Sequence, residues 1–268
     1  MKMKICFVHA VSPSTEGEGL RVRFLRPANI ILFLFSVIFL FSSCKKENLF
    51  DCLKSTGDIS TETRSIASFS EVKVYDNVNV IFVQDTLTFI ELRAGENLIP
   101  LVVTELRDGK LFIENHNTCN WVRDFSIPVE VYIHLPSLKI IHSFGSGNIT
   151  SQNTIVTDVI ELNNHNTGDI DMTIAATEIY CRQHACFGDN KINGSAQYIY
   201  IYNTGYGFCD CAALNANRAT AISISTGLTY VNTCDELSAE IKSSGDIYYK
   251  GSPVIQSTIT GSGRLIHY

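Results

Sequence analysis

Thr167-Gly168-Asp169-Ile170 and Ser244-Gly245-Asp246-Ile247 are two copies of one signal. Related stretches are Gly145-Ser146-Gly147-Asn148-Ile149, Phe187-Gly188-Asp189, Gly205-Tyr206-Gly207-Phe208, Thr226-Gly227-Leu228 and Gly261-Ser262-Gly263-Arg264-Leu265. Taken at Gly147, Gly168, Gly188, Gly207, Gly227, Gly245 and Gly263, the intervals are 21, 20, 19, 20, 18 and 18 residues. At ~3.3 Å per strand residue, such an interval supplies two or three short strands with their corners. That is one rung of a β-solenoid, in which each rung bonds to its neighbours and a repeat period marks the coil. The position two after each glycine is expected to stack inward (Ile149, Ile170, Cys209, Ile247, Leu265), and so is the fourth (Met172, Ile192, Cys211, Val231). Glycine at the corner is read as supplying a backbone bend that a Cβ would hinder, with a β-branched replacement poorly tolerated if the corner needs positive φ.

Upstream, the pattern is period-two without the glycine punctuation. Val72 and Val74, then Val78, Val80 and Phe82, alternate with polar residues, as do Phe89 to Arg93, Leu111 to Glu114 and Val129 to Leu135. Turn signals such as Arg107-Asp108-Gly109-Lys110 separate them, so these are strands. No mature segment holds a helical period. The organisation expected is an all-β body over residues 66–268, with N-terminal strands over 66–142 and glycine-punctuated rungs of about 18–21 residues over 143–268.

Before that body, Ile30 to Phe41 reads IILFLFSVIFLF, preceded by Arg21, Arg23 and Arg26 and followed by Ser42-Ser43-Cys44. A bilayer-spanning helix needs ~20 apolar residues, so twelve make the core of a signal peptide. Ser42-Ser43-Cys44 resembles a bacterial lipobox, with Phe41 where Leu is usual. Residues 1–43 are therefore expected to be removed and Cys44 to carry lipid, with polar residues 44–65 as a tether. The first 20 residues are long and mixed for an n-region, which points to a translation start farther downstream.

Charge excludes one class of partner. Five of the 21 Lys/Arg but only two of the 27 Asp/Glu precede Cys44, leaving 16 basic against 25 acidic residues in the remainder. An acidic body without a basic stripe does not bind nucleic acid. Setting aside Cys6 and Cys44, seven of nine cysteines remain, an odd number that cannot all pair within one chain. A buried file of reduced thiols explains Cys181, Cys186, Cys209, Cys211 and Cys234 better than a zinc site, with disulfides between rungs as the third option.

The runs Arg64…Phe69…Val72-Lys73-Val74, Gly109-Lys110-Leu111-Phe112-Ile113, Val129-Glu130-Val131-Tyr132-Ile133-His134-Leu135-Pro136-Ser137-Leu138 and Gly145-Ser146-Gly147-Asn148-Ile149 come in one order. Ser244-Gly245-Asp246-Ile247-Tyr248-Tyr249-Lys250-Gly251-Ser252-Pro253 follows at the other end. Together they resemble the head-GIN-domain family of auto-transporter adhesins, over about residues 64–268. The resemblance implies a right-handed parallel β-helix and a lipoprotein of the outer membrane, on its surface or periplasmic side, in Bacteroides-like bacteria. It carries over no catalytic residue. Cys186, Cys209, Cys211 and Cys234 depart from the family's usual turns.

Three clusters are candidates for chemistry. Asp169, Asp189 and Asp246 each follow a repeat glycine, as a calcium site or a glycan-cleaving centre would require, but aspartate also satisfies free N–H groups at corners, and that reading is preferred. Asn115-His116-Asn117-Thr118 recurs as Asn164-His165-Asn166-Thr167 without further ligands at defined spacing, so polar loop or ladder positions are expected. In Gln197-Tyr198-Ile199-Tyr200-Ile201-Tyr202, inward isoleucines put Tyr198, Tyr200 and Tyr202 outward together, with Tyr180 one rung away. This tyrosine face is the expected binding surface. The reading is thus a non-catalytic adhesion or binding module with no cofactor and no metal. Its expected partners are the membrane through lipid, a glycan or protein ligand, and a second copy of the chain if self-association covers the tyrosines. The alternatives are a structural envelope lipoprotein without ligand and a glycan-active enzyme on a β-helix.

Overall fold

A computed structural model describes residues 55–118 and 127–268. The apolar segment, Cys44, Cys52 and Cys119 lie outside the described residues. The strands are β1 (Ile59–Ser65), β2 (Glu71–Val74), β3 (Asn79–Gln84), β4 (Phe89–Gly95), β5 (Val102–Arg107) and β6 (Lys110–Asn115). Next come β7 (Glu130–Leu135), β8 (Ile140–Ser143), β9 (Ile149–Ser151), β10 (Ile155–Asn164), β11 (Ile170–Gln183) and β12 (Asn190–Asn203). The last are β13 (Cys209–Ser223), β14 (Thr229–Ile241), β15 (Ile247–Lys250), β16 (Val254–Ile259) and β17 (Leu265–His267). All belong to one sheet, parallel from β8 onward, wound as a β-solenoid. The expected rung is the observed rung.

Parallel register explains how the core forms. Leu111, Val72, Ile141, Leu162, Cys181, Ile201, Ala221 and Ala239 are successive partners and all are buried. A second buried file runs Val131, Val80, Ile149, Ile170, Asn190, Cys209, Thr229 and Ile247. Each rung alone has one apolar face, and stacking removes it from water. The inward positions expected from the glycine count are buried, except that Leu265 on the last rung is half-buried.

A third file is polar: Ser143, Asn164, Gln183, Asn203 and Ser223 stack in register, all buried. The amide of Asn164 donates to the Gly168 carbonyl at 2.9 Å, that of Gln183 to Gly188 at 2.8 Å, and that of Asn203 to Gly207 at 3.4 Å. Each of these three amides thus closes its own corner by satisfying a carbonyl that, left buried and unpaired, would cost about 1–3 kcal/mol.

A Cβ is hindered at the corner glycines, but not through positive φ. Among the described glycines only Gly57, Gly109, Gly194 and Gly251 have positive φ, so the repeat glycines do not. Instead each α-carbon lies against the carbonyl oxygen of the corner one rung earlier: Gly168 on Gly147, Gly188 on Gly168, Gly207 on Gly188, Gly227 on Gly207. A methyl group at any of them would overlap that oxygen. Close approach, not handedness, selects the residue.

At the N-terminal end the pairing turns antiparallel. β4 lies between β1 and β7, and β5 pairs with β6. β1 falls within the stretch read from sequence as tether. Its Arg64 donates to the Val102 carbonyl at 2.7 Å and the Ile99 carbonyl at 3.2 Å, which ties the strand to the body.

Candidate binding face

Tyr198, Tyr200 and Tyr202 stand half-buried on the outer side of β12, while Ile199 and Ile201 are fully buried beneath them. Tyr180 on β11 is the register partner of Tyr200, its ring centroid 6.0 Å away, and meets Tyr198 edge-on at 6.4 Å. Alternation and one-rung register therefore bring the four sequence-identified tyrosines together. Two arginines that sequence reading passed over complete the face. The Arg182 guanidinium lies 5.0 Å from the Tyr180 ring and 5.6 Å from that of Tyr200, and pairs with Glu161 at 2.8 Å. Arg218 sits 5.9 Å from the Tyr198 ring. The signal for them was available: Arg182 and Arg218 share the outward parity of Tyr202 and Tyr198 at one-rung spacing.

Hydrogen bonds fix two of the phenols. Tyr180 donates to Glu178 at 2.7 Å, which pushes its pKa up, and Tyr198 donates to Thr220 at 3.1 Å. Burial raises that of Tyr200. Beside Tyr198 opens a cleft of about 300 Å³ whose polar lining is Tyr198, Arg218, Thr220, Glu236, Ser238 and Gln256. A ring, a cation, an anion, hydroxyls and an amide converge there.

The other candidates resolve into structure. The Asp169 carboxylate accepts the Asp189 N–H at 2.8 Å, Asp189 accepts the Phe208 N–H at 2.7 Å, and Asn148 accepts the Asp169 N–H at 3.1 Å. This is corner chemistry repeated rung by rung. Asp246 repeats it, accepting the Arg264 N–H at 2.7 Å, and also pairs with the Arg264 guanidinium at 3.0 Å, which holds its carboxyl below the usual range. Cys181, Cys186, Cys209 and Cys211 are free and buried, as a thiol file requires, but Cys234 is exposed and does not belong to it. The Cys181 and Cys209 sulfurs lie 3.5 Å apart; hydrogen bonds from Cys209 and Cys211 pull Cys181 below its ordinary value, and the same contact pushes Cys209 up. Among the described residues no group of three or more His, Cys, Asp or Glu is placed to hold a metal ion.

His116 and His165 make different contacts. His116 faces Glu114 at 3.0 Å. His165 belongs to a ring ladder up one edge of the coil: Tyr75 on Phe144 at 5.0 Å, Phe144 on His165 at 4.5 Å, His165 on His184 at 4.3 Å, with His142 5.8 Å from His165. Its Nε2 is buried without a hydrogen bond. Burial first, then the neighbouring His184 and His142, lower its pKa to about 4.

A family model described as "Putative auto-transporter adhesin, head GIN domain" matches residues 68–253. The chain belongs to this family. Among solved structures it is similar to a "putative adhesin" from Bacteroides fragilis NCTC 9343, with 22% identity, TM-score 0.73, and coverage of 80% of this chain and 100% of the other. A second "putative adhesin", from Parabacteroides distasonis ATCC 8503, shares 20% identity and TM-score 0.61 over 80% and 100% of the two chains. A "putative lipid binding protein" from the same organism shares 20% identity and TM-score 0.63 over 80% and 99%. At these identities the three carry the fold alone. No curated protein matches the chain. The family and two of these solved relatives are named for adhesion and the third for lipid binding.

Proposed function

We propose that this head-GIN-domain protein is a non-catalytic adhesion module, anchored in the outer membrane by lipid on Cys44, that binds a glycan across its tyrosine face. The observation carrying this is the cleft beside Tyr198, where Arg218 and Glu236 line the walls and neither has an ion-pair partner among the described residues. Charged groups left unpaired beside an aromatic ring present hydrogen-bonding capacity to hydroxyls, and the ring offers an apolar face to a sugar. Asp169 and Asp189, the carboxylates that a glycan-cleaving centre would use, are occupied with backbone N–H groups. That supports binding over cleavage.

The test is the Tyr198→Ser, Tyr200→Ser double variant, checked for retained fold and screened beside the parent on host glycans, mucin and cell-wall polysaccharide. Binding by the parent, weakened about tenfold or more in the variant, is the expected result; equal binding by both would remove the face from consideration. For the anchor, labelling with a fatty-acid analogue should mark the parent and not Cys44→Ala, and Cys44→Ala should leave the membrane fraction. Unchanged membrane retention would sink the lipidation reading.

A further inference from the structure

The repeat contains its own internal comparison. The residue before the corner glycine is Ser146, Thr167, Thr226, Ser244 or Ser262 on five rungs, but Phe187 and Tyr206 on the two consecutive rungs between. The residue after it is Asn148, Asp169, Asp189, Asp246 or Arg264 on five rungs, but Phe208 and Leu228 on two. The three aromatic replacements contribute little to packing, since Phe187 is 66%, Tyr206 59% and Phe208 47% exposed. Phe187 and Tyr206 stack on each other at 4.8 Å in an otherwise polar ridge. Leaving such rings in water is unfavourable, so an exposed stacked pair with a third exposed ring on the same run of corners marks an interaction site.

Next to this ridge lies a separate cleft of about 220 Å³, walled by Phe208, Leu228 and Tyr230 and bordered by Asp189, Asp210 and Lys191. Tyr248 stacks behind Tyr230 at 5.1 Å and holds that ring in place. The charges are unequal. Lys191 is already paired with Asp171 at 3.4 Å, whereas Asp189 and Asp210 accept backbone N–H groups but have no cation within ion-pair distance among the described residues. Two aromatic walls and two carboxylates lacking cationic partners are what a Lys or Arg side chain requires, because ring faces attract a cation and carboxylates neutralise it.

We propose that the Phe208–Tyr230 cleft, with the Phe187–Tyr206 stack beside it, is a second binding site, and that its occupant is a basic polypeptide segment presenting Lys or Arg. It is separate from the tyrosine face, shares no residue with it, and stands whether or not that face binds glycan. The acidic balance of the body adds a long-range attraction for the same partner.

The probe is acetyl-(Gly-Arg)4-amide, with the citrulline peptide as its neutral isostere, titrated into the purified protein in 0.15 M NaCl. The arginine peptide should bind saturably and at least tenfold more tightly than the citrulline peptide. Phe208→Ser and Asp210→Asn should each weaken it fivefold or more, while Tyr200→Ser changes it less than twofold. Phe208→Ser keeps every carboxylate, so its loss separates a built site from general attraction by an acidic protein. Peptide-induced shifts of the Phe208 and Tyr230 ring resonances in the parent give a reading independent of any variant's folding. Equal affinity for the two peptides, unchanged binding in Phe208→Ser, absence of ring shifts, or loss of a neutral oligosaccharide rather than the peptide would each overturn the proposal.

Discussion

Gly168→Ala is expected to destabilise the protein by about 3 kcal/mol or more, at the upper end of what overpacking costs. The reason is local and absolute: the new methyl would occupy the space of the Gly147 carbonyl oxygen, a backbone atom of the preceding rung that cannot rotate aside. Relief requires the two rungs to part at that corner. Separation would also strain the Asn164 amide bond to the Gly168 carbonyl and the neighbouring hydrogen bond from Asn164 to Asn190. Gly109→Ala is the control, because Gly109 has φ of +74° but nothing within 4 Å of an added methyl. It should cost only the left-handed backbone penalty of roughly 1–2 kcal/mol. Thermal midpoints of the two variants distinguish steric approach from backbone handedness. A Gly168→Ala loss no larger than that of Gly109→Ala would refute the stacked-corner account.

That contrast also marks what the sequence could reveal. Spacing alone gave the rung length and the inward positions, because a parallel solenoid repeats its hydrophobic demand once per turn and Ile149, Ile170 and Ile247 meet the same demand. It could not say why glycine was needed. A residue without a side chain serves a tight turn and a close contact equally, and the contact is with another rung about 20 residues away. The polar file was hidden for a related reason. Asn164, Gln183 and Asn203 read as surface residues by type, and only the corner carbonyls that they meet explain their burial.

The tyrosine face was legible because it needed only strand alternation and one register step. Its arginines and the cleft beside Tyr198 were not, since the cleft joins β12, β13, β14 and β16 and depends on bulges that shift the register between Cys211 and Arg218. The corner ridge was passed over because Phe187, Tyr206 and Phe208 sit in stretches that read as further copies of the repeat, and their exposure is set only by the stacked corners. β1 was missed because its residues are polar and mostly exposed; what places the strand is pairing with β4 and the reach of Arg64.

The ring ladder makes stability depend on pH in a window set by His165. Its pKa is about 4 in the folded protein against 6.5 ordinarily, so between these values the unfolded chain takes up a proton that the folded one refuses. The contribution is complete above about pH 6.5 and is lost as pH falls toward 4. At ~1.4 kcal/mol per unit the ceiling is roughly 3 kcal/mol, reduced by the solvent that still reaches the ring. Burial lowers His142 and His184 as well, so both add loss in the same direction. Asp85, Glu114 and Asp246 are held below their ordinary values and lose their contributions at lower pH still. His165→Phe keeps an aromatic ring in a ladder that already holds Phe144 and Tyr75, and removes the titrating group. Its thermal midpoint should track the parent's near pH 7.5 and lie several degrees above it at pH 4.5. Midpoint curves that stay parallel across that interval would show that protonation of the ladder does not govern acid stability.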